Sequence, residues 1–186
     1  CPFANGGRNW QSAAYNPDSK MLFLPIAEVC MNAGPTGQGG ILSTGAAMQP
    51  SPSPLAASDG QFGRWQAVNV ETRELVWDHR KEAPPTSAAL STEGGLVFIG
   101  ALDQSFSALD DATGEVLWST DLGDIPASFP ITYQVGDKQY IAVAIGTPTI
   151  HANVWLGVTQ EYFGANRNFA GSLSRQGPAL KVFALN

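Results

Sequence analysis

One short phrase occurs twice in this sequence, and its repetition constrains the fold more than any other feature. ALDDATGEVLW (108–118) aligns without a gap with AVNVETRELVW (67–77), and each copy ends on a tryptophan. A fixed period of about 40 residues is typical of an array of structural repeats, in which each unit packs on the next. The sequence therefore predicts a repeat protein or a segment of one.

The residues between these copies repeat as well. SAAYNPDSKMLFLP (12–25) aligns with SAALSTEGGLVFIG (87–100), and ASFPITYQVGDKQYIAVAIG (127–146) is a third version with a short insertion at its turn. Short runs of β-branched and aromatic residues separated by Gly, Asp and Thr predict strands and tight turns. In the second copy the strands are predicted near 87–91, 96–100, 104–109 and 115–119. Four-stranded sheets at this period are blades of a β-propeller, an all-β fold.

The turn before each tryptophan has a physical basis. The carboxylate of Asp110 can accept hydrogen bonds from the backbone N–H groups two and three residues on, and Gly114 can take a positive φ at little cost. In the earlier copy Arg73 replaces this glycine, so that turn is expected to be less ideal. Trp77 and Trp118 are predicted to pack against the flank of the neighbouring blade.

The end of the sequence indicates an incomplete ring. ALKVFALN (179–186) matches the third strand of a blade and stops where the turn and the outer strand are expected. About three blades are present, whereas closed propellers have roughly four to eight. We therefore expect residues 1–186 to be the C-terminal portion of one larger propeller domain, with the missing outer strand supplied from elsewhere. No segment of ten or more residues shows a convincing helical period.

Two long irregular stretches, about 32–60 and 147–179, interrupt the repeat. Both follow the second strand of a blade, so both are expected on the rim where the links between blades, 78–86 and 122–127, also emerge. Long loops on one rim are where propellers place their functional residues. The Pro- and Ser-rich part, 49–58, is open to a second interpretation as a mobile linker.

Composition excludes several functions. The net charge of −6 leaves no basic surface for phosphates, which argues against nucleic-acid binding. The sequence contains no motif for a zinc site, a phosphate loop or a serine nucleophile. His79 is expected to be a solvated loop residue, and His151 is a candidate for ligand contact in the second rim insertion. Cys1 and Cys30 are compatible with one disulfide in an oxidising compartment or with two buried thiols.

The repeat resembles a known family. Residues 108–118 meet the pattern A-x-D-x-x-T-G-x-x-x-W at every position, and GGRNWQSAAYNPDSKMLFLPIAEVCMN (6–32) is similar to another conserved region of the same proteins. These are the pyrroloquinoline-quinone (PQQ)-dependent alcohol dehydrogenases. The resemblance implies an eight-bladed propeller that holds PQQ and a Ca²⁺ or lanthanide ion on its axis. It implies a periplasmic or secreted enzyme that oxidises an alcohol, a sugar alcohol or an aldehyde and passes electrons to a cytochrome c or a quinone.

The resemblance also assigns residues. Asn9 matches an asparagine at the edge of the quinone, where an amide can donate to the cofactor. Trp10 is its neighbour and either lines the pocket or packs in the core. Thr149 lies in the stretch 147–150, which aligns with Gly-Gly-Trp of methanol dehydrogenases, so that aromatic contact is missing. The resemblance implies that Thr149 is the cofactor-binding residue of this stretch.

Other consequences concern covalent structure and catalysis. Methanol dehydrogenases have a disulfide across a loop of the same length, which implies a Cys1–Cys30 bond. The family's catalytic Asp and metal-binding carboxylate lie upstream, so neither a catalytic nor a metal residue is assigned in this chain. The main alternative is a non-enzymatic propeller of the same repeat type, such as the scaffold that assists outer-membrane protein assembly. A carbohydrate-binding propeller that uses Trp155 and Tyr162 as stacking platforms is a further alternative.

Overall fold

A computed structural model describes residues 6–35, 46–51, 60–146, 150–164, 169 and 178–185. Three antiparallel sheets follow one another along the chain, and a separate hairpin and one helix are inserted between their strands. Within the described ranges no helix is both long enough and apolar enough to cross a bilayer. The predominance of strands confirms the predicted all-β class.

The first sheet is a four-stranded blade interrupted by a hairpin. Its order from the inner to the outer strand is β1-β2-β5-β6. The strands are β1 (Ala14–Asn16), β2 (Met21–Ala27), β5 (Gly63–Asn69) and β6 (Leu75–Lys81), and the hairpin is β3 (Cys30–Pro35) with β4 (Ala46–Ser51). Burial alternates along β2, so one face points into the core and the other is half-buried.

The second sheet confirms the predicted repeat. Its strands are β7 (Leu90–Ser91), β8 (Leu96–Gly100), β9 (Ser105–Asp110) and β10 (Val116–Asp121), close to the predicted bounds. Leu90 pairs with Phe98 in this sheet, and Ala14 pairs with Phe23 in the first sheet. Both sheets are therefore meanders of the same design, as expected for consecutive blades.

The third sheet has three strands in the order β11-β12-β13. They are β11 (Ile131–Val135), β12 (Lys138–Ile145) and β13 (Ala179–Ala184). In the described part of the chain β13 lies at the edge of this sheet, with Leu180 66% and Val182 46% exposed. An edge strand with exposed apolar side chains is normally paired or covered in a native protein.

The turns before the outer strands form as predicted. Oδ1 of Asp110 accepts hydrogen bonds from the backbone N–H groups of Ala112 at 3.0 Å and Thr113 at 2.8 Å. The hydroxyl and backbone N–H of Thr113 lower the pKa of the Asp110 carboxyl. Gly114 then takes a φ of +74°, and Arg73 takes +64° at the equivalent position of the first blade. A non-glycine residue in this region is strained, so the first turn is less ideal, as expected.

The tryptophan at the end of the first blade docks on the second blade. The indole Nε1 of Trp77 donates to the backbone carbonyl of Asp111 at 2.8 Å. Its ring lies so close to Gly114 that an added Cβ there would be 2.7 Å from Trp77 Cδ2. Trp77 is only 8% exposed and stacks on Phe23 of its own blade. These contacts confirm the predicted packing between blades.

The prediction that no helix forms was wrong. Helix α1 (Ile150–Phe163) lies between β12 and β13. Its sequence contains β-branched residues and Gly157, which lower helix propensity, so the local signal is weak. A stripe formed by Ala152, Trp155 and Val158 is buried in the core cluster of the first two blades, and this packing stabilises the helix.

Burial also rules out part of the carbohydrate-binding hypothesis. Trp155 is 2% exposed and lies within the core cluster, so it offers no ring face to a sugar. Tyr162, 43% exposed, contacts Phe62 edge to face at 5.3 Å.

The described parts of the two insertions contain regular secondary structure. The first insertion holds the β3–β4 hairpin, and the second holds α1.

Candidate functional site

The innermost parts of the three sheets are joined by backbone hydrogen bonds. The N–H of Ala89 in the second blade donates to the carbonyl of Ser12 at 3.0 Å, and the N–H of Ala88 donates to Ser128 of the third at 3.0 Å. These hydrogen bonds lie just before the N-terminal ends of the inner strands, where the links between blades end. We name the layer formed by residues 9–12, 86–89 and 127–129 the inner wall, and its second-blade part is buried.

Asn9 stands at the beginning of the inner wall and is exposed. The preceding backbone is fixed because the N–H of Ala27 donates to the carbonyl of Gly7 at 2.6 Å. The backbone N–H of Asn9 donates to Oε1 of Gln11 at 3.3 Å, and Gln11 is 2% exposed. Asn9 itself is exposed. A buried glutamine thus helps to fix the backbone of an exposed asparagine.

Trp10 lies on the surface of the inner wall and outside the two main core clusters. It is half-buried, and its ring contacts Phe129 with centroids 5.6 Å apart and planes inclined by 58°. Phe129 is 57% exposed and lies just before the inner strand of the third blade. Trp10 and Phe129 therefore form an aromatic pair that reaches from the first blade to the third along the inner wall.

Three buried polar atoms of the inner wall lack a hydrogen-bond partner. They are Nε1 of Trp10, Nε2 of Gln11 and Oγ1 of Thr86. Gln11 and Thr86 occupy equivalent positions, each directly before a serine that lies two or three residues ahead of an inner strand. Because buried polar groups in native proteins nearly always have partners, these three atoms are places where ordered water would complete the structure.

A network of charged side chains supports the rim beside this wall. Glu28, whose side chain is 4% exposed, pairs with Arg64 at 3.1 Å and with Arg80 at 3.1 Å. Both arginines also face Asp78, at 3.4 Å and 3.3 Å. Burial raises the pKa of Glu28, whereas the Arg64 guanidinium acts to lower it. The network joins the ends of β2, β5 and β6 and was not anticipated, because its members are far apart in sequence.

His79 is not the solvated loop residue that was expected. It belongs to β6, where its ring stacks on Trp65 with centroids 5.1 Å apart and planes inclined by 15°. Burial lowers the pKa of His79, and the positive charge of Lys81 lowers it further. The prediction failed because the strand extends four residues beyond Trp77, to Lys81.

Several predicted site residues lie partly or wholly outside the described residues. Cys1 and Thr149 belong to ranges that are not described, and His151 lies on α1 with its side chain outside the description. Cys30 is 7% exposed at the beginning of β3, and the described chain contains no free cysteine. The Cys1–Cys30 bond and the role of Thr149 stay predictions. The described residues also contain no group of three potential metal ligands among His, Cys, Asp and Glu.

Comparisons with known proteins agree with this geometry. The family model of the glucose, ethanol and alcohol dehydrogenase β-propeller domain, designated PQQ, matches residues 34–141. A lanthanide-dependent methanol dehydrogenase of Methylacidiphilum fumariolicum is 32% identical over 162 residues, which cover 85% of this chain and 26% of that protein. A 1-butanol dehydrogenase (cytochrome c) of Thauera butanivorans is 26% identical over 196 residues, covering 100% and 28%.

A solved structure resembles the whole chain. A europium-containing methanol dehydrogenase superposes with a TM-score of 0.79 and 30% identity, and the match covers 100% of this chain and 34% of that one. The chain thus spans about a quarter to a third of the length of the relatives it matches. The matched blades, their turns and their docked tryptophan place the chain in the family of PQQ-dependent alcohol dehydrogenase β-propellers.

Proposed function

We propose that the intact protein is a PQQ-dependent dehydrogenase that oxidises an alcohol, a sugar alcohol or an aldehyde in the periplasm or outside the cell. The observation that carries this proposal is the family match over residues 34–141 together with the exposed Asn9 on the inner wall. Electrons would pass to a cytochrome c or a quinone, which is consistent with a relative named 1-butanol dehydrogenase (cytochrome c). The rest of the propeller would be the chain's closest partner.

The exposed Asn9 of the inner wall supports the proposal that PQQ binds at this place. The cofactor is a planar conjugated ring system that carries carbonyl and carboxylate oxygens. Asn9 is exposed and carries an amide that can donate a hydrogen bond to such an oxygen. Apolar surface together with a few polar groups is typical of a cofactor site.

The chain's own residues would bind and orient rather than remove the substrate proton. When bound, PQQ supplies the oxidising capacity for the reaction. The Asn9 side chain would donate an N–H to a cofactor oxygen, and Gln11 would hold the Asn9 backbone in place. We assign neither the catalytic base nor the ligands of a Ca²⁺ or lanthanide ion to described residues of this chain. A relative named lanthanide-dependent methanol dehydrogenase makes a lanthanide a specific candidate.

The proposal is tested by reconstituting the intact protein with PQQ and either Ca²⁺ or a lanthanide. We expect a near-ultraviolet absorption band from bound PQQ and dye-linked oxidation of at least one alcohol, aldehyde or sugar alcohol. Chelation should abolish the activity, and returning the metal should restore it. A protein that neither retains PQQ nor oxidises any of these substrates would favour the non-enzymatic scaffold.

A substitution tests the assignment of Asn9. Asn9→Ala should raise the PQQ dissociation constant about tenfold, the size expected for one lost hydrogen bond to a ligand. Folding should change little, because the side chain is exposed. Gln134→Ala removes another exposed amide, on β11 and away from the inner wall, and serves as the matched control. If both variants retain the cofactor equally well, Asn9 does not belong to the site.

A further inference from the structure

Two arginines lie directly opposite each other in the first blade, Arg64 on β5 and Arg80 on β6. Like charges at opposing positions of neighbouring strands repel each other and destabilise a sheet. Glu28 compensates both charges, because Oε1 lies 3.1 Å from Nη1 of Arg64 and Oε2 lies 3.1 Å from Nη1 of Arg80. Its side chain is 4% exposed. Since each carboxylate oxygen binds a different strand, Glu28 holds the ends of β5 and β6 together.

Glu28 also fixes the end of β2. It directly follows Ala27, the last residue of this strand, and its own N–H donates to the carbonyl of Phe62 at 2.7 Å. Ala27 pairs with Gly63 of β5, and the carbonyl of Ala83 lies so close to Gly63 that a side chain would not fit there. The ion pairs and this close packing together restrict the position of Ala27.

The end of β2 in turn holds the segment that leads to Asn9. The N–H of Ala27 donates to the carbonyl of Gly7 at 2.6 Å, two residues before Asn9. Gly6 takes a φ of +73°, so the chain turns where it meets β2. Glu28 is therefore connected to Asn9 through its neighbour Ala27 and one short hydrogen bond. A shift of Ala27 would move the backbone that carries the Asn9 amide.

We propose that Glu28 is a positioning residue, which holds the Asn9 amide within reach of PQQ through the end of β2. This inference rests on the proposed function. Glu28 is too buried to contact the cofactor itself. Hydrogen bonds between a carboxylate and a guanidinium are short and directional, so the two arginines define the position of Glu28 more narrowly than apolar packing would.

The test measures PQQ binding to the metal-loaded apo form of the intact protein through the quenching of tryptophan fluorescence. Glu28→Gln keeps the size of the side chain but removes its charge, and we expect the dissociation constant to rise about threefold to fivefold. In the Asn9→Ala background the same change should raise it less than about 1.5-fold, because the contact through which Glu28 acts is already absent. The near-ultraviolet band of bound PQQ should shift in the same direction in Glu28→Gln as in Asn9→Ala, since both weaken one hydrogen bond to the cofactor.

A matched control lies in the same network. Asp78 faces Arg64 at 3.4 Å and Arg80 at 3.3 Å, but it belongs to β6, which is separated from β2 by β5. Asp78→Asn removes a negative charge from the same two arginines and leaves Glu28 at the end of β2. The PQQ dissociation constant of this variant should stay within about 1.5-fold of the wild-type value.

A milder substitution keeps the test decisive if Glu28→Gln does not fold. Glu28→Asp retains the charge on a shorter side chain, and we expect about a twofold rise that disappears in the Asn9→Ala background. Effects of Glu28 and Asn9 substitutions that multiply, or equal losses in Asp78→Asn and Glu28→Gln, would refute the positioning role while the proposed function stands. A wild-type protein that does not bind PQQ overturns both.

Discussion

Trp77 and Trp118 occupy equivalent positions in the repeat but lie in different environments. Trp77 is 8% exposed, donates to the carbonyl of Asp111 at 2.8 Å and lies against Gly114 of the next blade. Trp118 is 39% exposed, and its ring contacts Phe183 of the third sheet at 5.1 Å. The same side chain in the same repeat is thus buried at one junction and half-open at the other.

The difference lies in what the next sheet provides. The second blade offers Trp77 a complete turn, in which Asp110 and Thr113 fix the backbone and Gly114 leaves room for the indole ring. In its described residues the third sheet offers Trp118 only strands, and a cavity of about 420 Å³ remains between them, lined by Leu96, Phe98, Ala108, Leu117, Trp118, Phe183, Ala184 and Leu185. A docked tryptophan therefore needs the neighbouring turn as well as the neighbouring sheet.

Further contacts strengthen the first junction. Nδ2 of Asn16 in the first blade donates to Oδ2 of Asp111 at 2.9 Å, and Lys81 pairs with Asp103 at 2.7 Å. Asp111 thus accepts from both Trp77 and Asn16, one bond through its carbonyl and the other through its carboxylate. The junction combines buried ring surface, buried hydrogen bonds and an ion pair. Several different interactions therefore hold the two blades together.

The largest expected effect comes from removing the docked ring. Trp77→Ala should lower the free energy of unfolding of the intact protein by about 3–5 kcal/mol, because a large buried aromatic group leaves a cavity and an unpaired carbonyl at Asp111. Trp118→Ala should lower it by about half as much if residues of this chain alone cover the ring, which is then 39% exposed. Urea titration of both variants provides the measurement. Equal losses would show that polypeptide beyond this chain covers Trp118, as ring closure requires.

A smaller effect is expected from filling the space that the indole occupies. In Gly114→Ala the new Cβ would lie 2.7 Å from Trp77 Cδ2, and φ is +74°, so we expect a loss of about 2–3 kcal/mol. The reverse change in the first blade is the matched control. Arg73→Gly relieves a φ of +64° and should raise the free energy of unfolding by about 0.5–1 kcal/mol. A tolerated alanine at position 114 would contradict the close packing.

The sequence predicted the parts of the fold that depend on local physics. The Asp110 turn, the strands around it and the docking of Trp77 follow from short-range hydrogen bonding, period-2 burial and the size of an indole ring, all of which are visible in the repeated phrases. Arg73 is an example of a local prediction at one residue. The sequence predicted a less ideal turn where Arg73 replaces glycine, and Arg73 has a positive φ in the structure.

The missed features depend on tertiary contacts. Helix α1 has a weak local signal, because Gly157 and its β-branched residues disfavour a helix, and burial of Ala152, Trp155 and Val158 stabilises it. The Glu28 network joins residues up to 52 positions apart and leaves no local pattern. In the site, resemblance indicated Asn9 and Trp10, but the contact between Trp10 and Phe129 became apparent only in the structure.

The smallest expected effect is a pH dependence at the docked junction. His79 lies beside Trp77 and Gly114 in a groove of about 210 Å³, stacked on Trp65 and flanked by Asp78 and Lys81. Burial and Lys81 lower its pKa in the folded state, although Asp78 opposes them, so the unfolded chain binds a proton more readily. The stability that this difference contributes is present above the unfolded pKa of about 6.5 and is lost as the pH falls through the lower folded value.

Replacing the histidine isolates that contribution. In His79→Gln the urea midpoint should fall less between about pH 7.5 and about pH 5.5 than it does in the wild type, because the ring that resists protonation is gone. The Asp110 carboxyl does not interfere, since its pKa is lowered from an ordinary value of 3.8 and its contribution is lost only in more acidic solution. An identical pH profile in both proteins would mean that His79 titrates alike in the folded and unfolded states. The groove beside Trp77 would then be more open to water than its stacked ring indicates.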